Sequence, residues 1–441
     1  MADLAGSQAG RAPRSPLFYG WLIVGLCFFI NFVSIGGRSS FTVFVLPMSE
    51  DFGWDRGNIS LAASIGLLVN GFTQPFLGRL YDRYGARKIV IPSLLILGVS
   101  TVLLVWTSHL IYLIVLFGFV ASVATSGAGD PITGAVLAKW FRRHRAAVLG
   151  ISMAGASIGG LLIVPFANYL IEATNWRISW VVLGGLILVF ALPAAFLIIR
   201  ENPQDVGLEP DGDSTPPREV GRSSQPAYVP PRGPLESDSW TRAFRSAPIW
   251  QMCGAYFVCG ATTAIMGTHF VPYAVDKGFT ESYAALAFGV MNGLNVVGVV
   301  GISLISDRMG RKNLLALVYA ARGCSYALLL LVPGGWGLWS FVAVAGFSWW
   351  ATAPLTTSLT ADVYGVRALG TISSIAFLAH QVGSAVSVQF AGEMRDITGG
   401  YDLPFAIVGL LLVPAALSAF TIREKKYSMK YQSPTPVLAT D

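Results

Sequence analysis

Charge is what this chain lacks most. Only 12% of its 441 residues are Asp, Glu, Lys or Arg, against 54% hydrophobic, and the mean hydropathy is +0.60. A soluble globular domain carries about a quarter of its residues charged, so that class is excluded. Cysteine is scarce as well: Cys27, Cys253, Cys259 and Cys324 all fall inside apolar runs, where they act as small core residues and offer no disulfide framework. Nor is there a strand-to-helix phosphate loop, a metal-ligand cluster or a nucleophile constellation, since the glycine-rich stretch from Gly155 to Gly160 lies in mid-helix. Neither an enzymatic role nor a cofactor or metal is expected. The first 16 residues include Arg11 and Arg14 but no short apolar core followed by a small-residue cleavage site, so they read as a tail and not as a removable signal.

What is present is a succession of apolar runs near 20 residues long, each about enough to cross a hydrocarbon core of roughly 30 Å. They predict an all-α membrane protein with twelve transmembrane helices. The expected spans are Leu17 to Pro47, Ile59 to Gly78, Ile89 to Trp106, Tyr112 to Lys139, Ala146 to Ile171 and Ser179 to Ile199, then Ile249 to Val275, Ala284 to Ile305, Leu314 to Pro333, Leu338 to Val363, Leu369 to Glu393 and Asp402 to Ile422. Helix 1 exceeds the length of a span, which implies tilt or an extension beyond the bilayer. Residues 200–245 are rich in Pro, Gly, Ser and charge and bury too little apolar area to order themselves, so they read as a linker. The end of the linker, around Trp240 to Trp250, alternates aromatic and basic residues like an amphipathic lead-in on the membrane surface. The organisation is therefore a tail (1–16), a six-helix half (17–199), a linker (200–245), a second six-helix half (246–423) and a second tail (424–441).

The net charge of +6 is no nucleic-acid signal, because the basic residues are shared out among short loops. Arg79 to Lys88, Arg142 to Arg145, Arg308 to Lys312 and Arg367 all fall on one side, with both termini, and an excess of Lys and Arg marks the cytoplasmic face. The acidic stretch Ser49 to Asn58 is expected outside. The expected location is a cell inner (plasma) membrane.

One loop occurs twice. GRLYDRYGARK, from Gly78 to Lys88, returns 225 positions later (307 − 82) as Asp307-Arg308-Met309-Gly310-Arg311-Lys312, with Ser303 in the place of Gly78. Both copies form a tight polar turn between long apolar segments. Gly85 and Gly310 are expected to supply backbone freedom. Asp82 and Asp307 are expected to cap the following helix or to pair with neighbouring arginines, pinning adjacent helices in one arrangement and releasing them in another. Asp82, Arg83, Gly85, Arg87, Asp307, Arg308 and Gly310 thus form a candidate conformational hinge. Two six-helix halves joined by a linker suit an alternating-access carrier, whose substrate site lies near the midplane between them.

The repeated loop resembles the signature of the major facilitator superfamily between helices 2 and 3 and, more weakly, between 8 and 9. Lys139 to Gly160, KWFRRHRAAVLGISMAGASIGG, resembles the fifth-helix signature of the monocarboxylate transporter family, and Phe18-Tyr19-Gly20-Trp21 is similar to its aromatic entry into helix 1, without the usual acidic residue. Bacterial exchangers of oxalate and formate share this layout. The resemblance implies transport of small organic anions, commonly with a proton. Read physically, the small residues of helix 5 let it approach a neighbour closely.

Ionisable residues inside spans are costly and so are candidates for function. Arg38, within Gly36-Gly37-Arg38-Ser39-Ser40, either holds an anion in a wet pocket or snorkels to the outer surface; the resemblance places it within one residue of a helix 1 lysine of the monocarboxylate transporters. Asp130, before Pro131 and near mid-depth, is either a proton-coupling group or a structural ion pair. His380 on helix 11 donates to a carboxylate, titrates, or simply links helices, and it occupies a position where the oxalate/formate exchangers carry lysine. Asn292, Asn295 and Gln381 complete the candidate substrate site. Related anion carriers place an arginine on helix 8 where this chain has Val299, which shifts the expected anchor to Arg38 with His380. His269 either gates or rests at the interface, Arg322 is expected to pair structurally or snorkel, and Trp349 and Trp350 either line a cavity or pack.

The expected function is a secondary transporter that moves a small organic anion, a monocarboxylate, with a proton, within a lipid bilayer and as a monomer. The alternatives are an exporter of amphipathic or neutral compounds and a carrier-like sensor.

Overall fold

Helices dominate because the apolar runs carry few breakers and because every backbone polar group in a membrane must be satisfied internally. The computed structural model describes residues 18–212, 233–237 and 239–431. Among these are twelve helices long and apolar enough to span a membrane: α1 Tyr19–Phe52, α2 Asn58–Tyr84, α3 Ala86–Trp106, α4 Leu110–Trp140, α5 Arg145–Ala173 and α6 Trp176–Ile198, followed by α7 Ala247–Asp276, α8 Ser282–Arg308, α9 Arg311–Leu331, α10 Gly334–Tyr364, α11 Leu369–Thr398 and α12 Asp402–Thr421. The two tails beyond residues 18 and 431 lie outside the described residues.

The halves repeat one packing device. In the first, α5 runs against α1, and a Cβ at Gly155 or Gly159 would strike the carbonyls of Phe28 or Phe32. In the second, α11 runs against α7, with Gly383 on the Phe257 carbonyl and Gly260 on that of His380. Small residues here let backbones approach closely, which is how helices associate where lipid removes the hydrophobic drive. The halves meet each other along α2 with α11 and α5 with α8.

Several local features depart from the sequence expectation. Helix α1 continues to Phe52, so residues 49–52 of the expected acidic loop are helical, and Asp51 accepts from Arg177 Nη1 at 2.6 Å and Trp176 Nε1 at 3.2 Å, tying α1 to α6. Helix α4 winds as a π-helix over Ile114–Ala121, then breaks at Gly129 (φ −85°, ψ 179°) and restarts at Asp130 with Pro131 in its first turn, a position where the missing N–H costs nothing. Helix α10 is interrupted between Ser348 and Thr352. The described ends of the linker are ordered on the bundle: Asp211 accepts from the backbone N–H groups of Arg142 and Arg143, and Leu235 donates to the Val363 carbonyl at 3.0 Å. Trp240 and Phe244 pack edge to face in a short turn, with the Arg79 guanidinium 5.8 Å from the Trp240 ring centre.

The two hinge glycines differ. Gly85 has φ +85°, a conformation that favours glycine. Gly310 has φ −68°, open to any residue, so its need is for space: a Cβ there would lie 3.1 Å from the Tyr431 hydroxyl and 3.3 Å from Glu424 Oε2.

Candidate functional site

The break in α4 opens a helix N-terminus inside the span, and the residue placed on it is Asp130. The partial positive charge of a helix start favours a carboxylate there. Asp130 is 6% exposed, and its Oδ1 has no hydrogen-bond partner among the described residues. His380 of α11, from the other half, lies within electrostatic range of it. The His380 ring stacks on Phe377 (centroids 5.6 Å apart, 7° between planes) and lies 4.9 Å from Tyr256 and 6.1 Å from Trp350. Its Nε2 lies 3.4 Å from Thr263 Oγ1 and its Nδ1 3.4 Å from Gln381 Oε1, both long for hydrogen bonds. Gln381 continues the polar line into the first half, 3.4 Å from Asn70 Oδ1, and Asn70 donates to Ser126 Oγ at 2.8 Å.

Arg322 is fully buried on α9. It neither snorkels nor pairs with an acid among the described residues. Its Nη2 donates to the carbonyls of Ser348 and Trp349 at the interruption of α10, and Nη1 to Thr262 Oγ1 (3.1 Å) and Cys259 Sγ (3.5 Å). A guanidinium has the donors to satisfy carbonyls that a broken helix leaves open. Cys259 also meets Thr352 Oγ1 at 2.9 Å.

The other candidates are dispersed. Asn295 is fully engaged, donating to Ser157 Oγ at 2.7 Å across the halves and accepting from the Trp350 N–H at 3.0 Å, so it is a strut. Asn292 donates to the Phe288 carbonyl one turn back at 2.9 Å. His269 meets the Val388 carbonyl at 3.2 Å, and Trp349 packs on Phe288. Val299 is buried where α8 touches α5 at Gly150. Arg38 is not brought to His380: it lines a pocket walled by α1, α3, α4, α5 and α6 within the first half. Asp130, His380 and Gln381 are the sequence candidates that come together.

At one end of the bundle the hinge residues cross between halves. Asp82 accepts from the N–H groups of Gly370 (2.9 Å) and Thr371 (2.6 Å) and from the Thr371 hydroxyl, at the start of α11. Asp307 accepts from the N–H groups of Ala146 (3.0 Å) and Ala147 (2.9 Å), at the start of α5. Neither carboxylate caps the helix that follows it, the first of the two expected roles, while Asp307 does lie 3.7 Å from the neighbouring Arg311, the second. Arg87 lies over Phe196 and donates to its carbonyl, Arg83 lies over Tyr84, and Arg311 is 3.7 Å from Asp307. Between them sits a buried cluster that the sequence reading missed: Asp362 of α10 pairs with Arg145 of α5 at 2.6 Å and with Arg311. Two further acids follow the same symmetry. Glu201 accepts from the Ala86 N–H and pairs with Lys139, while Glu424 accepts from the N–H groups of Arg311 and Lys312 at 3.0 Å. Lys430 covers the end of α8, donating to the Met309 carbonyl at 2.7 Å; burial, then the nearby Arg311, pulls its ammonium below the usual lysine range. At the opposite end, beyond the Asn70–Gln381 and Asn295–Ser157 contacts, no hydrogen bond or ion pair joins the halves among the described residues.

Residues 27–388 match the family model of the Major Facilitator Superfamily. An uncharacterised MFS-type transporter, YcxA, of Bacillus subtilis is 26% identical over 90% of this chain and 93% of its own. Monocarboxylate transporter 12-B of Danio rerio is 24% identical over 94% and 89%. Among solved structures, the E. coli fucose:proton symporter FucP superposes with a TM-score of 0.66 at 16% identity over 91% of this chain and 98% of that one. The proton:xylose symporter XylE gives 0.70 at 14% over 94% and 98%. At that identity the two structures bear on the fold alone.

Proposed function

Since this chain belongs to the major facilitator superfamily and is a multi-pass membrane transporter, we propose that it moves a small organic anion, a monocarboxylate, together with a proton by alternating access. The observation that carries this reading is the buried Asp130 carboxylate at the break in α4, whose Oδ1 has no hydrogen-bond partner among the described residues. A substrate carboxylate brought within about 4 Å of an ionised Asp130 would be repelled by about 4 kcal/mol at an effective dielectric constant near 20. Binding a proton to Asp130 removes that cost, so anion and proton enter together. His380 offers a donor to the anion, and Tyr256, Phe377 and Trp350 around it supply an apolar wall for the rest of the molecule. The relation to the monocarboxylate transporters supports the choice of anion.

The end held by Asp82 and Asp307 is assigned to the cytoplasm because the arginine-rich loops lie there, which makes the state described one that is shut inside and free of interhalf bonds outside. Residues 17–199 and 246–423 act as the two moving bodies.

The test is uptake of labelled monocarboxylates into proteoliposomes with and without an inward proton gradient. Gradient-driven accumulation that Asp130→Asn abolishes supports the reading. If no carboxylate enters while amphipathic compounds are expelled from cells that express the protein, the exporter alternative replaces it.

A further inference from the structure

Along one exposed stripe of α2 the residues turn from apolar to basic. Leu68, Phe72 and Phe76 face outward, the two phenylalanines at 66% exposure, and the stripe continues at helical spacing into Arg79 and Arg83 in the last turns of the span. Such a change marks the level where hydrocarbon gives way to headgroups. Against Arg79 lies the short 3-10 turn Trp240–Arg245 of the linker, with the Trp240 ring centre 5.8 Å from the guanidinium. The turn itself packs on α7 and α11 of the second half, so Arg79 meets it across the seam between the halves. Trp240, Phe244 and Trp250 follow one another edge to face, 6.0 and 5.8 Å apart, and the exposed Trp250 spends its N–H on the Phe244 carbonyl at 2.8 Å. Arg242 and Arg245 are exposed and three residues apart, a spacing that stacks them on one side of a 3-10 helix. Arg79, Arg242 and Arg245 have no hydrogen bond or ion pair among the described residues. The acids Asp82 and Glu236 are spent on backbone N–H groups, those of Gly370 and Thr371 and that of Gly233.

We infer that this corner seats an anionic phospholipid of the adjoining leaflet, its phosphate among Arg79, Arg242 and Arg245 and its acyl chains along Phe72 and Phe76. Guanidinium groups offer paired donors to phosphate oxygens, and the three rings hold the level of the membrane surface. Cations whose neighbouring acids are already engaged select a headgroup of net negative charge over a zwitterionic one. Because Arg79 belongs to the first half and the linker turn rides on the second, the lipid joins the halves at the end where Asp82 and Asp307 cross, and it favours the closed arrangement there. The site requires a membrane-spanning carrier of two halves and no particular substrate, so it stands apart from the transport reading above.

The test is thermal unfolding of the full-length protein in detergent, titrated with phosphatidylglycerol, with phosphatidylcholine of the same chains, or with inorganic phosphate, since a ligand of the folded state raises its melting temperature. Phosphatidylglycerol should stabilise the protein, less so at high salt, and phosphatidylcholine should do so far less. Arg79→Gln should weaken phosphatidylglycerol binding about fivefold, and Arg242→Gln combined with Arg245→Gln roughly 25-fold. Lys88→Gln, which removes another exposed cation at the same end, should bind as wild type does. The bridge has its own readout in nanodiscs: hydrogen exchange of the Thr371 N–H, held by Asp82, should be slower in phosphatidylglycerol than in phosphatidylcholine, and Arg79→Gln should erase the difference. Equal stabilisation by the two lipids, or titrations unchanged in both arginine variants, overturns the inference. Inorganic phosphate acting as strongly as phosphatidylglycerol overturns it too, since the site would then take a soluble anion. Binding that leaves Thr371 exchange unaltered overturns the bridge between the halves.

Discussion

The Asp82 carboxylate reaches out of the first half to the Thr371 backbone N–H of the second, 2.6 Å away, and Asp307 makes the reciprocal reach to Ala147 at 2.9 Å. Each half holds the exposed helix start of the other, where unpaired N–H groups and the helix dipole both favour a negative charge.

Replacing one of these carboxylates should therefore weaken the closed end without damaging either half. Asp82→Asn and Asp307→Asn should each lower the stability of this state by about 1.5–3 kcal/mol, the worth of hydrogen bonds to a charged group. Thermal unfolding would show the loss, and maximal transport should fall with it. A double variant that loses no more than either single one would mean that the two reaches act as one unit.

Asp362 holds two buried arginines, Arg145 and Arg311, so removing it costs more than removing either partner. Asp362→Asn should destabilise by about 3–5 kcal/mol, because it strands buried positive charge. Arg145→Gln should cost less, since Asp362 keeps Arg311. Melting temperatures of the purified variants decide the order.

Arg322→Ala should fail to give a monodisperse protein. It would open the carbonyls of Ser348 and Trp349 at the interruption of α10, at about 1–3 kcal/mol for each buried acceptor left unpaired, and leave a cavity as well. Arg322→Lys keeps charge but not the fork of donors and should fall between, as size-exclusion profiles would reveal.

Asp130→Asn should retain exchange of labelled for unlabelled substrate while losing proton-driven accumulation. Wild-type uptake should rise as the outside is acidified, and the variant should respond little. The two assays together separate a lost proton site from a lost fold.

The fold was largely legible because its determinants are local or periodic. Apolar runs of span length set the helices, and the Asp82 and Asp307 loops marked the duplication. Even so, the partners of those carboxylates were not readable. Thr371 is 289 residues from Asp82, and it offers a backbone N–H, which every residue but proline has. Glu201 and Glu424 left a faint signal: each follows the last helix of its half, and their separation of 223 (424 − 201) nearly repeats that of the hinge loops. Asp130, His380 and Arg38 all stand out by their cost within a span, but the pairing of Arg38 with His380 rests on the arginine that Val299 replaces, and the structure turns Arg38 inward to the first half. Which face of α1 carries Arg38 depends on Gly36 seating against Gly159, a contact between backbones that the residue types alone do not orient.

The reciprocal reach between the halves carries a consequence for how such proteins diverge. Because Asp307 is answered by main-chain groups, the side chains at Ala146 and Ala147 are under no pressure to change in step with it, whereas Gly370 is held by space, since a Cβ there would lie 2.7 Å from Asp82 Oδ1. Comparison of co-varying positions across relatives would thus pass over the Asp307 contacts at this end of the molecule, while registering pairs such as Arg145 and Asp362, where both sides must be written in the gene.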